Sequence, residues 1–357
     1  MVSTERYLVV EELLSNNSIQ KEVMIENVAK AIEVEQGFDE NDELVGRSPP
    51  TFFSSYHRLD EIHKYMKSLE SKYPKLASTF SIGKSFEGQD LLVLKIRSGK
   101  ETKKKPIIWI DGGTHGREWI TSASALYIAT KLLNEYDLDA NITKLIDFYE
   151  WYIHPVVNPD GYEYSHTTDR MWRKTRSWTV SLIGCRGVDP NRNWSFKWNY
   201  GGSSISPCSH VYSGLIPFSE PEIKAIANFI FDRKNRVKLF LTLHSYSQMW
   251  LTPWGWTHEF PSDYEDQHKM ANVAVRALRS LYGSIFESGS TTELLYTASG
   301  GSDDWAYGYA GIKYSFTAEL RDTGKHGFVL PSNQIIPSGE ELWIAVKALA
   351  SEIRKEL

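Results

Sequence analysis

The sequence predicts an α/β fold, because strand-like and helix-like segments alternate along most of the chain and 357 residues suffice for one large domain with a modest appendage. Composition agrees: hydrophobic residues make up 41% and charged residues 24%, without disordered or fibrous bias.

Each element has its own signal. Near the N-terminus, Lys21-Glu22-Val23-Met24-Ile25 reads as a strand and Asn27 to Glu35 as a helix. Gly46-Arg47-Ser48-Pro49-Pro50-Thr51 reads either as a linker open to a trypsin-like protease at Arg47 or as an ordinary loop. Leu59, Ile62, Met66 and Leu69 recur at helical spacing until Pro74, which predicts a core-facing helix. Strands follow at 91–96 and 107–110, then a helix over 120–133 and a strand over 148–157. Ser219-Glu220-Pro221-Glu222 has the form of a capping box opening a helix through Phe231, and a strand follows over 237–243. Ser338-Gly339-Glu340-Glu341 opens the last helix in the same way, with Leu342, Val346, Leu349 and Ile353 on one face.

Charge narrows the partners. The formal net charge is −5, and basic residues are scattered apart from Lys103-Lys104-Lys105, which reads as a solvated loop; no nucleic-acid footprint is present. No apolar stretch reaches the length of a membrane span, and no signal peptide is visible. Cys185 and Cys208 lie in a stretch rich in Gly, Ser and Pro, which suits a disulfide contributing roughly 3 kcal/mol through loop closure; two free buried thiols are the alternative. Glycosylation sequons at Asn16, Asn141 and Asn193 fit secretion but are common by chance.

The chemistry gathers at strand ends. Ile107-Ile108-Trp109-Ile110 runs into Asp111-Gly112-Gly113-Thr114-His115-Gly116-Arg117-Glu118, so His115 and Glu118 arrive where open α/β sheets collect ligands. Hydrolytic zinc typically takes three protein ligands and keeps one position open. Among ten histidines, His244 is the best third candidate, because it ends an apolar strand and precedes Ser245-Tyr246-Ser247-Gln248. A histidine after a strand is otherwise an ordinary structural residue. Tyr314 to Arg321 carries Glu319 near the end of another apolar strand, where either Arg321 pairs with it or it has a chemical task.

These residues resemble the zinc metallocarboxypeptidases of the pancreatic A/B type, the funnelins. The resemblance runs from about Tyr56 to the C-terminus through Thr114-His115-Gly116-Arg117-Glu118-Trp119, Asn158-Pro159-Asp160-Gly161-Tyr162, Met171-Trp172-Arg173-Lys174-Thr175-Arg176, Gly187-Val188-Asp189-Pro190-Asn191-Arg192-Asn193-Trp194, His244-Ser245-Tyr246-Ser247-Gln248, Ala298-Ser299-Gly300-Gly301-Ser302-Asp303-Asp304-Trp305 and Phe316 to Arg321. It implies one zinc ion held by His115, Glu118 and His244, with Glu319 as general base and Arg173 as oxyanion stabiliser. Asn191 and Arg192 correspond to a clamp for the substrate's terminal carboxylate, which makes peptide and protein C-termini the substrates. Tyr296 corresponds to a tyrosine closing over the last residue, Arg117, Ser245 and Tyr246 to contacts further back along the peptide, and Asp189 to a partner orienting a zinc histidine.

The resemblance also places Asp303 at the pocket floor, where relatives that cut after basic residues carry Asp and those that cut after apolar residues carry an apolar side chain, so it implies a preference for C-terminal Lys or Arg. The alternatives are an Asp303 turned to solvent or to Lys313, with A-type preference for aromatic and aliphatic residues, or a catalytically silent peptide-binding protein; a zinc aminoacylase or deacylase fits the clamp less well. The resemblance also implies a mixed, twisted sheet of about eight strands flanked by helices on both faces, forming a monomeric, secreted catalytic domain over 48–357. Residues 1–47 then form a partial pro-segment, a small α+β remnant with its activation linker, cut at Arg47; it is too short to be whole. Three departures stand out: Ala318 where an aromatic residue is expected, one extra residue between Arg173 and Cys185, and Pro190 in place of a small residue.

Overall fold

The computed structural model describes residues 6–17, 19–20, 23–35, 52–99 and 104–357. Its strands are β1 (Ala77–Lys84), β2 (Asp90–Ile96), β3 (Ile107–Asp111), β4 (Glu150–His154), β5 (Val237–His244), β6 (Met249–Thr252), β7 (Glu287–Ser290) and β8 (Tyr314–Glu319). They join in one eight-stranded sheet in the order β1-β2-β4-β3-β5-β8-β6-β7. The four central strands, β4-β3-β5-β8, are parallel, and antiparallel pairs flank them. All of β3 is buried, which is why it reads as an unbroken apolar run rather than an alternation.

The helices are α1 (Tyr7–Asn16), α2 (Val28–Glu35), α3 (Leu59–Lys72), α4 (Trp119–Glu135), α5 (Ala140–Phe148), α6 (Pro159–Thr167), α7 (Pro221–Phe231), α8 (Tyr264–Tyr282), α9 (Thr291–Leu294), α10 (Ser302–Gly308) and α11 (Ile335–Lys355). They cover both faces of the sheet. Leu239, Leu241 and Leu243 of β5 enter one core with Met66 of α3, Leu126 of α4, Ala271 of α8 and Val346 of α11. Phe240 enters a second core with Ile223 and Ile226 of α7 and Trp305 of α10. The period-two alternation along β5 thus divides the two layers. Among the described residues, no helix is long and apolar enough to cross a membrane.

Several sequence expectations change. The strand expected over 148–157 shortens to β4, because Phe148 completes α5. The last helix begins at Ile335, ahead of the expected Ser338, and Leu342, Val346, Leu349 and Ile353 are all buried. No strand occurs among the described residues of 21–25; Lys21 and Glu22 lie outside them, and the described N-terminal residues contain the two helices α1 and α2. Arg47 and its linker also lie outside the described residues. Lys105 is not solvated: its ammonium is buried and donates to Ser98 O at 3.2 Å and Ser98 Oγ at 3.1 Å. The Asn193 sequon is closed to modification in the folded chain, since its buried amide donates to Ser213 O and Ile216 O.

The departures from the family pattern have local explanations. Trp250 of β6 lies opposite Ala318 in register, so a large ring stands across from the small residue. Pro190 sits in the first turn of a short 3-10 segment capped by Asp189, where its missing N–H costs nothing. Cys185 and Cys208 form a disulfide with Cα atoms 5.1 Å apart. Packing between the N-terminal helices and the body includes Glu35, whose buried carboxylate accepts from Arg170 Nε at 2.7 Å and Nη2 at 2.5 Å.

The expected capping box at Ser219 is absent: Glu220 takes the N-cap position, and Glu222 turns inward to accept from Phe86 N at 2.8 Å. Its second oxygen is buried without a partner among the described residues. Burial pushes this carboxyl up from 4.5 to about 8, helped by Glu220 and Asp160. A raised acid favours folding in its neutral form, so its contribution is complete below about 4.5 and is lost as pH rises through about 8. Glu222→Gln is therefore expected to match the wild type in thermal melts near pH 4 and to exceed it by a few degrees near pH 9. Equal melting temperatures at both pH values would contradict this.

Candidate active site

The functional side chains converge at the carboxyl ends of the central parallel strands. The chain leaves β3 at Asp111 and turns through Gly113, whose φ of +65° is unfavourable for any side chain with a Cβ. At Gly116 the loop passes so close to α6 that a Cβ would lie 2.3 Å from Gly161 O. This tight path carries His115 inward and leaves Glu118 at the N-cap of α4. Strand β5 ends at His244, which pairs in register with Glu319 at the end of β8.

His115, Glu118 and His244 place one potential donor atom each within 4.8 Å of the others, all of them buried. His115 Nδ1 lies 2.7 Å from Glu118 Oε1, and His244 Nδ1 lies 3.1 Å from Glu118 Oε2. The two Nδ1 atoms are 3.2 Å apart, so at least one of them is unprotonated and presents a lone pair. Two ring nitrogens and a carboxylate oxygen are the donor set that zinc takes with a position left open. Glu118 is held well below the usual carboxylate range: burial opposes its charge, but His115 and His244 outweigh it. Burial likewise works against charge on His244, and the Glu118 contact raises its pKa overall.

Asp189 ties this group to the rest of the cleft. One oxygen of its buried carboxylate contacts His115 Nε2 at 3.1 Å and accepts from Asn191 N at 2.9 Å. The other accepts from Arg173 Nε at 3.1 Å and Nη2 at 2.8 Å. Burial raises the cost of its charge, yet Arg173 first, and then His115 and Arg192, hold the carboxyl well below its ordinary value. Asn191 Oδ1 accepts from Ser302 N at 3.0 Å, which turns its amide Nδ2 the other way. Arg192 donates through Nε to Gly202 O and through Nη1 to Asn191 O, which fixes its guanidinium.

Around these groups lies a cleft of about 230 Å³ whose lining includes Arg117, Arg173, Asn191, Arg192, Ser245, Tyr246, Tyr296, Asp303 and Glu319. Each candidate residue therefore faces one space, apart from Asp189, which stands behind it. Burial pushes the Glu319 carboxyl up to about 8; His244 and Arg173 pull it down, while Glu118 and Asp303 repel it. Arg321 does not pair with Glu319 but donates to Glu341 at 2.7 Å. Asp303 is buried, and Lys313 pairs instead with Asp266, which leaves the Asp303 carboxylate turned inward. A Cβ at Gly301 would sit 3.0 Å from Asp303 Oδ1 and 3.6 Å from Asn191 Oδ1, so this glycine keeps open the space that both residues face.

Other lining residues escaped the sequence reading. Leu251, Gly255, Thr291, Leu295 and Thr317 form much of the wall, and Phe328 packs under Arg117 at 3.9 Å and against Tyr246 at 5.0 Å. The run Pro253-Trp254-Gly255-Trp256 directly after β6 was the available signal for Gly255. Phe328 lies in an irregular segment with no periodicity to mark it.

Buried donors beside a carboxylate and a fixed guanidinium, at the mouth of parallel strands, define a metal-dependent hydrolase. Residues 62–345 match the zinc carboxypeptidase family model. The chain is 48% identical over 302 residues to carboxypeptidase B of Astacus astacus, covering 85% of this chain and 98% of that protein. It is 44% identical over 338 residues to carboxypeptidase A1 of Mus musculus, covering 94% and 80% respectively. Its structure aligns with thrombin activatable fibrinolysis inhibitor at a TM-score of 0.91 and 38% identity, over all of this chain and 88% of that one. The carboxypeptidase A from Helicoverpa armigera aligns at a TM-score of 0.88 and 30% identity, over 99% and 87%. The chain belongs to the zinc carboxypeptidase family. It is a metallocarboxypeptidase, a hydrolase that uses zinc and acts on peptide C-termini.

Removing a ligand should separate metal binding from folding. His244→Ala is expected to weaken zinc binding by more than about 100-fold while the circular dichroism spectrum stays that of the wild type. Retention of a full zinc equivalent by this variant, measured by atomic absorption after dialysis, would exclude His244 from the donor set.

Proposed function

We propose that the enzyme releases C-terminal Lys or Arg from peptides and proteins. The observation that carries this reading is the buried, inward-facing Asp303 carboxylate across the Gly301 gap from Asn191. A cationic side chain entering that space would pair with it, whereas an apolar side chain would leave a buried charge uncompensated. The 48% identity to a carboxypeptidase B supports the same reading. The apolar wall of Leu251 and Leu295, together with the identity to carboxypeptidases A, supports A-type specificity as the second reading.

When bound by His115, Glu118 and His244, zinc supplies Lewis acidity that polarises the scissile carbonyl and acidifies water at the site. Asn191 Nδ2 and the Arg192 guanidinium receive the substrate's terminal carboxylate, which restricts cleavage to the last peptide bond. Glu319 takes a proton from the attacking water on a carboxylate oxygen and returns it to the leaving amine. Arg173, anchored by Asp189, presents its charge to the oxygen on which negative charge develops. Tyr296, 56% exposed at the rim, closes over the bound residue. Ser245, Tyr246 and Arg117 contact the peptide further back; Arg117 Nε is buried without a partner among the described residues and is free to serve a backbone carbonyl.

On the same reading, residues 48–357 are the catalytic domain and 1–47 belong to a pro-segment that a trypsin-like protease removes at Arg47. Its placement fits: a Cβ at Gly324 would meet Met24 Cε at 2.9 Å and Tyr246 Cε2 at 3.9 Å, so the segment lies beside the peptide contacts. The Cys185–Cys208 disulfide fits a secreted enzyme.

Blocked dipeptides differing only in a terminal Arg or Phe test the specificity. The enzyme is expected to favour Arg, and Asp303→Ala is expected to cost about 100-fold or more in kcat/KM for Arg while sparing Phe. A wild-type preference for Phe would overturn the reading in favour of A-type specificity. Glu319→Gln should lower kcat by about 100- to 10,000-fold with zinc content unchanged, and near-normal turnover would remove Glu319 from proton transfer.

A further inference from the structure

The ends of β3, β4 and β5 opposite the active site carry a second polar cleft, of about 450 Å³, that catalysis leaves unused. Five cations line it: Lys95, Arg97, Lys104, Arg233 and Arg236. The carboxylates are two, Glu150 and Asp232, and the phenol of Tyr152 completes the polar wall. Glu150, which opens β4, is shared among three of the cations. Arg97 Nη1 lies 3.0 Å from its Oε1, Arg236 Nη2 3.3 Å from its Oε2 and Lys95 Nζ 3.8 Å from Oε2, while Tyr152 Oη donates to Oε2 at 3.0 Å.

Five cations face two carboxylates across the cleft, and their mutual repulsion is felt at Lys95. Burial lowers the Lys95 ammonium pKa, Glu150 opposes that, and Arg97, Arg236 and Arg233 lower it further. The framework is fixed independently of any ligand: Arg233 Nη1 donates to Phe229 O at 2.9 Å and Arg236 Nη1 to Lys105 O at 3.1 Å. Arg233 and Arg236 carry five N–H groups each, more than these bonds use. Lys104 belongs to the run Lys103-Lys104-Lys105, and Arg233 and Arg236 to Arg233-Lys234-Asn235-Arg236, in a chain whose net charge is −5.

We propose that this cleft binds a sulfate or phosphate group, free or carried on a polyanionic chain. Guanidinium forks and ammonium groups at the rim would donate to its tetrahedral oxygens and relieve the mutual repulsion of the cations. The cleft stands roughly 20 Å from the zinc donors, the length of a central strand, so occupancy leaves hydrolysis open. It would hold the enzyme on a sulfated or phosphorylated matrix while the active site faces away.

Zinc-loaded full-length protein applied to immobilised dextran sulfate at low ionic strength provides the test. A protein with net negative charge has no general reason to be retained. Retention is expected, with elution by sodium sulfate at a lower ionic strength than sodium chloride requires. The double variant Lys104→Gln, Arg233→Gln spares the pairs to Glu150 and should bind dextran sulfate at least about fivefold more weakly, with dipeptide hydrolysis unchanged. Should it misfold, Lys104→Gln alone gives the same readout. Calorimetry with inorganic sulfate beside dextran sulfate distinguishes the sources: millimolar binding of the single ion identifies a free anion, and tight binding of the polymer alone identifies a chain. Flow-through of the wild type, or equal retention of wild type and variant, would overturn the proposal.

Discussion

The buried carboxylate of Asp189 is the contact on which the arrangement of the active site depends. Its two oxygens reach the His115 ring, the Asn191 backbone and the guanidinium of Arg173 at once. Burying such a charge costs several kcal/mol, and only a full set of cationic and hydrogen-bonding partners offsets that cost. Three residues of the cleft therefore share one electrostatic solution. Displacing any one partner would leave the carboxylate under-compensated and shift the other two.

Placing that carboxylate requires a long excursion off the sheet. The loop from Arg173 to Tyr212 has little regular structure, and its stability comes from specific ties. Asp189 N donates to Tyr212 O at 2.8 Å, Thr175 N donates to Val188 O at 2.9 Å, and the Cys185–Cys208 disulfide closes the loop. The sheet supplies the opposite wall. Because β5 and β8 run parallel and in register, His244 and Glu319 arrive side by side, so the proposed metal ligand and the proposed proton acceptor meet without any adjustment of loops. Strands β4 and β5 start at Glu150 and Val237, beside the basic cleft, which gives the two ends of one sheet contrasting chemistry.

Much of this was legible in the sequence where local pattern and burial coincide. The helix of Leu59, Ile62, Met66 and Leu69 and the strands ending at Asp111, His244 and Glu319 follow from periodicity and position. The convergence of the cleft residues was legible only through family resemblance, since pairs such as Glu118 and His244 are joined by the fold alone. Other features were hidden because tertiary contacts overrode local signals. Glu222 abandons its capping position for the Phe86 amide, Lys105 is drawn under Ser98, and Asn193 spends its amide on the loop around Ser213. The four-residue strands β6 and β7 are too short to show a period, and Phe328 reaches the cleft from an irregular segment.

The most direct measurement is zinc affinity and turnover of Asp189→Asn, a substitution that keeps the shape and removes the charge. If Asp189 organises the site, zinc binding weakens by about 10- to 100-fold and kcat on a dipeptide substrate falls even at saturating zinc, because His115 and Arg173 are both released. Wild-type zinc affinity with wild-type kcat would show that the three functions stand without it and would contradict the account.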